Sequence, residues 1–324
     1  MNLAIVGATG LVGRTFIKII EERNFPYEDL KLLASSRSAG KKVTVNDIEY
    51  MIEELNEHSF DDVDLALFSA GGEISKKFAP IAREHGATVV DNSSAWREDP
   101  TIGLVIPEIN QGDASMNKII ANPNCSTIQS VLPLYALQKK YGLKQITYTT
   151  FQAVSGAGQR GVDDLRRTKN GEAPQYFPHN ISKTAIPEID VFLENGYTKE
   201  EMKMVNETRK ILHQEDLAIS ATCVRVPVEN SHGVSIQVTL EKDFTLEGVR
   251  EAFQNQEGLV FVDDGPHHLY PTSELSNGVD DVFVGRLRKD LSRENSLLFY
   301  CTGDNIRKGA ALNAVQIAEK LLKK

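Results

Sequence analysis

The sequence predicts an α/β chain, with a doubly wound domain on a parallel sheet followed by an α+β domain on a mixed sheet. Three observations carry that prediction. Short apolar runs alternate with helical stripes from the N-terminus to about Tyr135, the rhythm of βαβ units. Past Gly142 the pattern turns to long strands with strict two-residue alternation. The length, 324 residues, suits two domains or one domain with a large insertion.

The first element, Leu3-Ala4-Ile5-Val6, reads as a buried strand and runs directly into Gly7-Ala8-Thr9-Gly10-Leu11-Val12-Gly13. Phe16, Ile17, Ile19 and Ile20 then share one helical stripe. Strand, glycine-rich turn and helix form the setting in which a backbone approaches a pyrophosphate and a helix N-terminus takes its charge. A Rossmann-like nucleotide domain is therefore expected. The spacing is G-x-x-G-x-x-G, not G-x-G-x-x-G, so a tight turn without a ligand stays open at this point.

A second strand, Leu30 to Ala34, ends in Ser35-Ser36-Arg37-Ser38. An NAD site places a carboxylate here for the ribose 2′-hydroxyl, and an NADP site places an Arg for the 2′-phosphate. Arg37 favours NADP, against a plain solvated basic loop. Val63 to Ala70 is a third strand, followed by a helix to about Glu84; Thr88 to Asp91 and Lys118 to Ala121 are two more. Ligands of such sheets bind beyond the carboxyl ends of the strands. Gly7, Arg37, Gly71, Ser94, Arg97 and Cys125 all follow strand ends, so they should gather along one edge.

The last of those strands delivers Asn122-Pro123-Asn124-Cys125-Ser126-Thr127, and a helical pattern follows. A cysteine that opens a helix sits at the positive end of the dipole among unpaired amides, which favours the nucleophilic thiolate. Asn124 is placed to donate its side-chain amide to an oxyanion. Alone, the hexapeptide is equally consistent with a loop Asn and an inert Cys. Pro133 should kink or restart the helix.

In the second half, Ile146 to Ala153 is a strand ending in Ser155-Gly156-Ala157-Gly158, and Gly161 to Lys169 and Glu200 to Leu212 are helical. Two long strands follow, Ala218 to Val228 and its expected partner Val234 to Leu240, joined by Glu229-Asn230-Ser231-His232-Gly233. Thr222, Val224, Val226 and Val228 share one face; Cys223 and Arg225 share the other, expected to point away from the apolar layer. A strand from Leu297 to Cys301 closes the sheet, and Asp304-Asn305 starts a final amphipathic helix that should return to the first domain.

Composition narrows the function. A net charge of -9 argues against nucleic acid or an anionic membrane as partner. No apolar run is long enough to span a bilayer, and no signal peptide is evident. The three cysteines, Cys125, Cys223 and Cys301, lie far apart with no C-x-x-C pair, so neither a disulfide scaffold nor a metal site is expected and a reducing cytoplasm fits. His232 supplies acid-base function near neutral pH, and Arg225 suits a carboxylate. Each alone is as consistent with a surface residue, and Glu207 with Lys210 with an exposed ion pair.

Six stretches in this order resemble the aspartate-semialdehyde dehydrogenase family, in its shorter bacterial branch, over essentially the whole chain. They are residues 7–13, 92–97, 122–127 and 152–158, Glu207 to Leu212, and Arg225 to Gly233. The resemblance implies an NADP-binding domain over 1–126 and 305–324 and a catalytic and dimerisation domain over 127–304. It implies Cys125 as nucleophile, with His232 as acid-base residue, Gln152 orienting the acyl group and Asn124 beside them. Arg225 would hold the substrate carboxylate, Glu207 its α-ammonium, and Arg97 and Lys210 phosphate. Thr9, Gly10, Leu11, Val12, Gly13, Arg37, Ser38, Ser155, Gly156 and Asn305 would contact NADP. The implied reaction is the reversible reductive dephosphorylation of aspartyl phosphate to aspartate semialdehyde and phosphate, through a thioester. It serves lysine, diaminopimelate, threonine, methionine and isoleucine biosynthesis, in a homodimer or homotetramer.

Two rivals share the fold. An N-acetyl-glutamyl-phosphate reductase presents an uncharged amide nitrogen, which gives Glu207 no ammonium to pair. A non-catalytic nucleotide-binding sensor has no need of Cys125, Gln152 and His232 together.

Overall fold

The computed structural model describes residues 1–323 and divides into two compact units, Met1–Pro123 with the stretch from Ala310 onward, and Asn124–Gly309. The division falls a few residues from the expected seams at 126 and 305. At the first, Asn124 caps the helix that follows it and so goes with that helix. At the second, Asn305 is bonded to Ser155 and Ser231, which keeps it in the second unit.

The first unit is a seven-stranded sheet in the order β3-β4-β2-β1-β5-β6-β7. Its strands are β1 (Asn2–Val6), β2 (Asp29–Ala34), β3 (Lys42–Val45), β4 (Ile48–Glu54), β5 (Leu65–Phe68), β6 (Thr88–Asp91) and β7 (Ile119–Ala121). All neighbours run parallel except β3 against β4, a hairpin the apolar pattern did not announce because its side chains are mostly exposed. Helices α1 (Leu11–Glu22), α2 (Gly72–Glu84), the short α3 (Pro107–Asn110) and a C-terminal helix complete it.

Strand β1 shows why its run is continuously apolar. Leu3 and Ile5 face a core shared with Phe16, Ile19 and Ile20 of α1 and with Val315 and Leu321 near the C-terminus. Ala4 and Val6 face a second core with Phe68 and with Phe78 and Ala82 of α2. A strand covered on both faces has no polar alternation. Each fully buried Phe or Ile here contributes about 1.5–3 kcal/mol relative to exposure.

The second unit is a six-stranded mixed sheet in the order β11-β12-β13-β10-β8-β9. Its strands are β8 (Leu143–Gln152), β9 (Ala218–Arg225), β10 (His232–Leu240), β11 (Leu259–Phe261), β12 (Val282–Lys289) and β13 (Ser296–Gly303). Its main helices are α4 (Cys125–Tyr141), α5 (Gln159–Lys169), α6 (Lys199–Leu212) and α7 (Leu246–Gln254), with a single turn at α8 (Ser273–Ser276). Helices α4, α6 and α7 pack on the strands.

Four expectations are corrected. Strands β9 and β10 are not neighbours: β9 runs parallel to β8, and β10 pairs antiparallel with β8 from the other side. Cys223 and Arg225 lie on the buried face of β9, while Thr222 is exposed and Val224 half-buried. Strand β13 sits inside the sheet, with β11 and β12 beyond it. The C-terminal segment begins with a π turn, Arg307–Ala311, before α9 (Leu312–Leu322) takes over and packs in the first unit's core.

Pro133 neither ends nor restarts α4. A proline leaves the carbonyl four residues back without its helical donor. That carbonyl belongs to Gln129, and it accepts the thiol of Cys301 on β13, with Sγ at 3.7 Å. The helix is buried almost all round, and its packing against β13 supplies the missing donor. Among the described residues no helix is long and apolar enough to cross a membrane.

Candidate active site

In the first unit, the turn after β1 leaves no room for a side chain at Gly7 or Gly13. A Cβ on Gly13 would stand 2.1 Å from the Gly7 carbonyl oxygen, and one on Gly7 2.9 Å from the backbone of Ser69. Gly7 also adopts φ +84°, a conformation that favours glycine. Gly10 is the exposed N-cap of α1 and offers no side-chain acceptor, so the helix's first amides stay available to an anion. Thr9, Leu11 and Val12 are half-buried around it. Arg37, after β2, is exposed and makes no side-chain hydrogen bond among the described residues, and Ser38 closes its turn through Ser35. Arg97 is buried, with Nη2 donating to the Asn92 carbonyl at 2.8 Å. These features fit a bound dinucleotide: a turn with glycine where a Cβ would clash, an uncapped helix start and an unengaged arginine.

In the second unit, Cys125 is the first residue of α4, half-buried. Asn124 is its N-cap, and its Oδ1 accepts from the amides of Ser126 at 2.9 Å and Thr127 at 3.3 Å. The Asn124 side-chain nitrogen is not idle either: it donates to Glu200 Oε1 at 2.8 Å, which leaves one N–H for other work. Glu207, fully enclosed on α6, accepts the backbone N–H of Asn124 at 2.6 Å. Lys210 lies half-buried one turn further on.

Three adjacent strands bring Gln152, Arg225 and His232 into one row. Gln152 stands opposite Arg225 in the β8–β9 ladder. Phe151 stands opposite Gly233 in the β8–β10 ladder, so one further step sets Gln152 against His232. All three side chains are buried. Gln152 accepts from the Thr150 hydroxyl at 3.0 Å and donates to Glu200 Oε1 at 3.0 Å.

His232 is held at both ends. Its Nδ1 accepts the Ala153 amide at 2.9 Å, and its carbonyl accepts the Gln129 side chain of α4 at 3.1 Å. Its Nε2 is buried with no partner among the described residues. Burial, with the Arg225 charge second, pushes its pKa down to about 3. Arg225 donates through Nη1 to the Ala153 carbonyl at 2.7 Å, its Nε has no partner, and no carboxylate pairs with it among the described residues. Burial lowers its pKa; the negative charge of Glu200, and then that of Cys125 as thiolate, oppose that. A Cβ on Gly156 would meet Arg225 Nη1 at 2.8 Å and His232 Nε2 at 3.1 Å, so the glycine leaves space where the two side chains converge. Ser155 is bonded to Asn305 at 2.9 Å.

Glu200, Gln129, Lys203 and Gly309 were not singled out by the sequence. Glu200 reads as an ordinary acidic residue in a helix's first turn, with Lys203 as its i+3 pair. Gly309, in the π turn, packs against Cys125: a Cβ there would stand 3.0 Å from that of the cysteine. Only long-range folding reveals these contacts.

Two family models match the chain. One, described as the semialdehyde dehydrogenase NAD binding domain, covers residues 2–116; the other, the semialdehyde dehydrogenase dimerisation domain, covers residues 134–308. The aspartate-semialdehyde dehydrogenase of Aquifex aeolicus is 51% identical over 99% of this chain and 98% of its own length. That of Bacillus subtilis is 46% identical over 100% and 98%. A crystal structure of aspartate semialdehyde dehydrogenase II from Vibrio cholerae superposes with a TM-score of 0.95 at 43% identity, covering 100% of this chain and 98% of the other. A second structure of that enzyme, complexed with ASA, gives 0.95 at 42% identity with the same coverage. With the cysteine-capped helix, the buried Gln–Arg–His row and the glycine turn already in place, the chain belongs to the aspartate-semialdehyde dehydrogenase family.

Proposed function

We propose that this chain carries out the family's reaction, the NADP-dependent interconversion of aspartyl phosphate and aspartate semialdehyde with phosphate, through a thioester on Cys125. The reaction serves the biosynthesis of lysine, threonine, methionine and isoleucine. The observation that carries the reading is Arg225, a buried guanidinium with one protein hydrogen bond and no carboxylate partner among the described residues. A buried, unneutralised arginine is costly unless an anion completes it. A substrate carboxylate does so with two parallel bonds.

The chain's own residues divide the work as follows. Cys125 Sγ attacks the acyl carbon and phosphate departs, which splits one hard displacement into two easier ones. Arg97 and Lys210 neutralise the departing phosphate. Gln152 and the Nε2–H of His232 face the acyl oxygen as its charge develops. Glu207, whose carboxylate accepts the Asn124 amide, holds the substrate's α-ammonium. Bound NADPH supplies the hydride that reduces the thioester. Thr9 to Gly13 take its pyrophosphate, and Arg37 with Ser38 takes the 2′-phosphate. Ser155, Gly156 and Asn305 would contact the bound cofactor.

The dimer named by the matched family model is, on this reading, a homodimer through the open face of the second sheet, where Phe151 is exposed and Val224 and Tyr300 are half-buried. A cytoplasmic setting agrees with three cysteines that form no disulfide.

The test is a hydride-transfer assay with aspartyl phosphate and with N-acetyl-glutamyl phosphate, on the wild type and on Cys125→Ala. Turnover of the first substrate alone, abolished in the variant while NADP affinity stays within a few-fold, is expected. Appreciable activity of a clean Cys125→Ala preparation overturns the thioester assignment. Preference for the N-acetylated substrate overturns the role of Glu207.

A further inference from the structure

One carboxylate connects the nucleophile's helix to the acyl-orienting strand. Glu200 Oε1 accepts from Asn124 Nδ2 at 2.8 Å and from Gln152 Nε2 at 3.0 Å. Its Oε2 accepts Lys203 Nζ at 3.0 Å, and Lys203 is tied in turn to Asp190 Oδ2 at 2.8 Å. Glu200 is buried, in the first turn of a helix whose capping box, Thr198 with Glu201, fixes where that turn begins.

An amide side chain has two ends of nearly equal shape, and only its partners decide which faces where. A carboxylate accepts and never donates. It therefore obliges both Asn124 and Gln152 to turn their nitrogens toward it. Asn124 Oδ1 then faces the amides of Ser126 and Thr127, and Gln152 Oε1 faces the Thr150 hydroxyl. Each amide keeps one further N–H.

We propose that Glu200 is the positioning residue that sets the polarity of Asn124 and Gln152 together, so that both present N–H groups toward the acyl oxygen of the substrate. The assignment rests on the thioester reading above. The device works only while Glu200 is ionised. Burial alone would raise its pKa, but Lys203 and the two amides outweigh burial and bring it down to about 2.

Glu200→Gln breaks the arrangement whichever way it turns: its NH₂ confronts either Lys203 or the two amides, donor against donor. Glu200→Asp keeps the charge but withdraws the carboxylate by one methylene. We expect both variants to lose about 10–100-fold in kcat, less than removal of a direct oxyanion donor. KM for phosphate and the affinity for NADP should stay within twofold. The rapid burst of NADPH that reports thioester formation from the semialdehyde should slow by the same factor as kcat. An Asp variant with wild-type kcat shows that charge against Lys203 is all that matters, and overturns the proposal. So does a loss confined to KM. Should the Gln variant fail to fold, the Asp variant decides alone. Loss of the burst in Cys125→Ala, with an unaltered burst in the Glu200 variants, overturns only the Glu200 assignment; an active Cys125→Ala enzyme overturns the thioester reading itself.

Discussion

The amide N–H of Ala153 donates to Nδ1 of His232 across 2.9 Å. An accepting Nδ1 leaves the neutral ring's proton on Nε2, the nitrogen without a protein partner. His232 is thus built as a donor, and a doubly protonated ring would set N–H against N–H. Nitrogen NMR of the labelled ring should report the Nε2–H tautomer, without titration, from about pH 5 to about pH 8. Stability follows the same logic. The unfolded ring takes a proton near its usual 6.5 and the folded one only near 3. His232 therefore contributes fully above about pH 6.5, and that contribution fades as pH falls toward 3, by at most ~1.4 kcal/mol per pH unit. Denaturant melts of His232→Gln should depend less steeply on pH across that window. A folded-state titration near 6.5 would remove the basis of both expectations.

Arg37 should read the 2′-phosphate, because it is exposed, follows β2 and has no side-chain partner among the described residues. Arg37→Asp should shift the ratio of kcat/KM for NADP over NAD by about tenfold or more toward NAD, since a carboxylate repels the phosphate and accepts from a hydroxyl. The check is the pair of efficiencies; an unchanged ratio means another group reads the phosphate.

Arg225→Lys should keep the fold and lose on the order of 2–3 kcal/mol of transition-state stabilisation, seen in kcat/KM for the semialdehyde with NADP affinity barely altered. A lysine replaces a planar fork by a point charge. A variant that melts early yet retains full efficiency per folded molecule would make Arg225 a structural residue.

Pro133 and Cys301 should be coupled. Cys301→Ala strips the Gln129 carbonyl of its thiol donor and leaves a small void, at a cost of about 1–3 kcal/mol. In a Pro133→Ala background the restored helical N–H serves that carbonyl, so the same change should cost about 0.5–1 kcal/mol less. Thermal melts of the four proteins close the cycle, and strict additivity would disconnect the thiol from the proline.

How legible the molecule is depends on the range of the interaction. Leu3 to Val6 with its glycine turn, and Cys125 at a helix start, are local patterns, and the sequence carries them plainly. Cys223 and Arg225 alternate with Thr222 and Val224 as expected, but alternation does not say which side is covered, and the valine side proved the more open one. The order of β9, β8 and β10 was hidden because turn length does not reveal a strand inserted between two others. Pro133 looked like a helix breaker because its compensating donor lies on β13, far along the chain. Glu200 carried no signal at all: its importance comes from two amides 76 and 48 residues away.

Gln152, Arg225 and His232 stand side by side on consecutive strands, so their separations are inherited from the strand pitch of about 4.8 Å and not from any loop. Metric and chemistry are thereby separable in this sheet. Exchanging one of the three for another residue type rewrites what the row does without moving its neighbours. Inserting a single residue into β8, β9 or β10 does the opposite: it leaves every residue type intact and turns one member of the row to the far face. The spacing of the row on this sheet therefore survives substitution within it, though the chemistry does not, and neither survives a one-residue insertion along its strands.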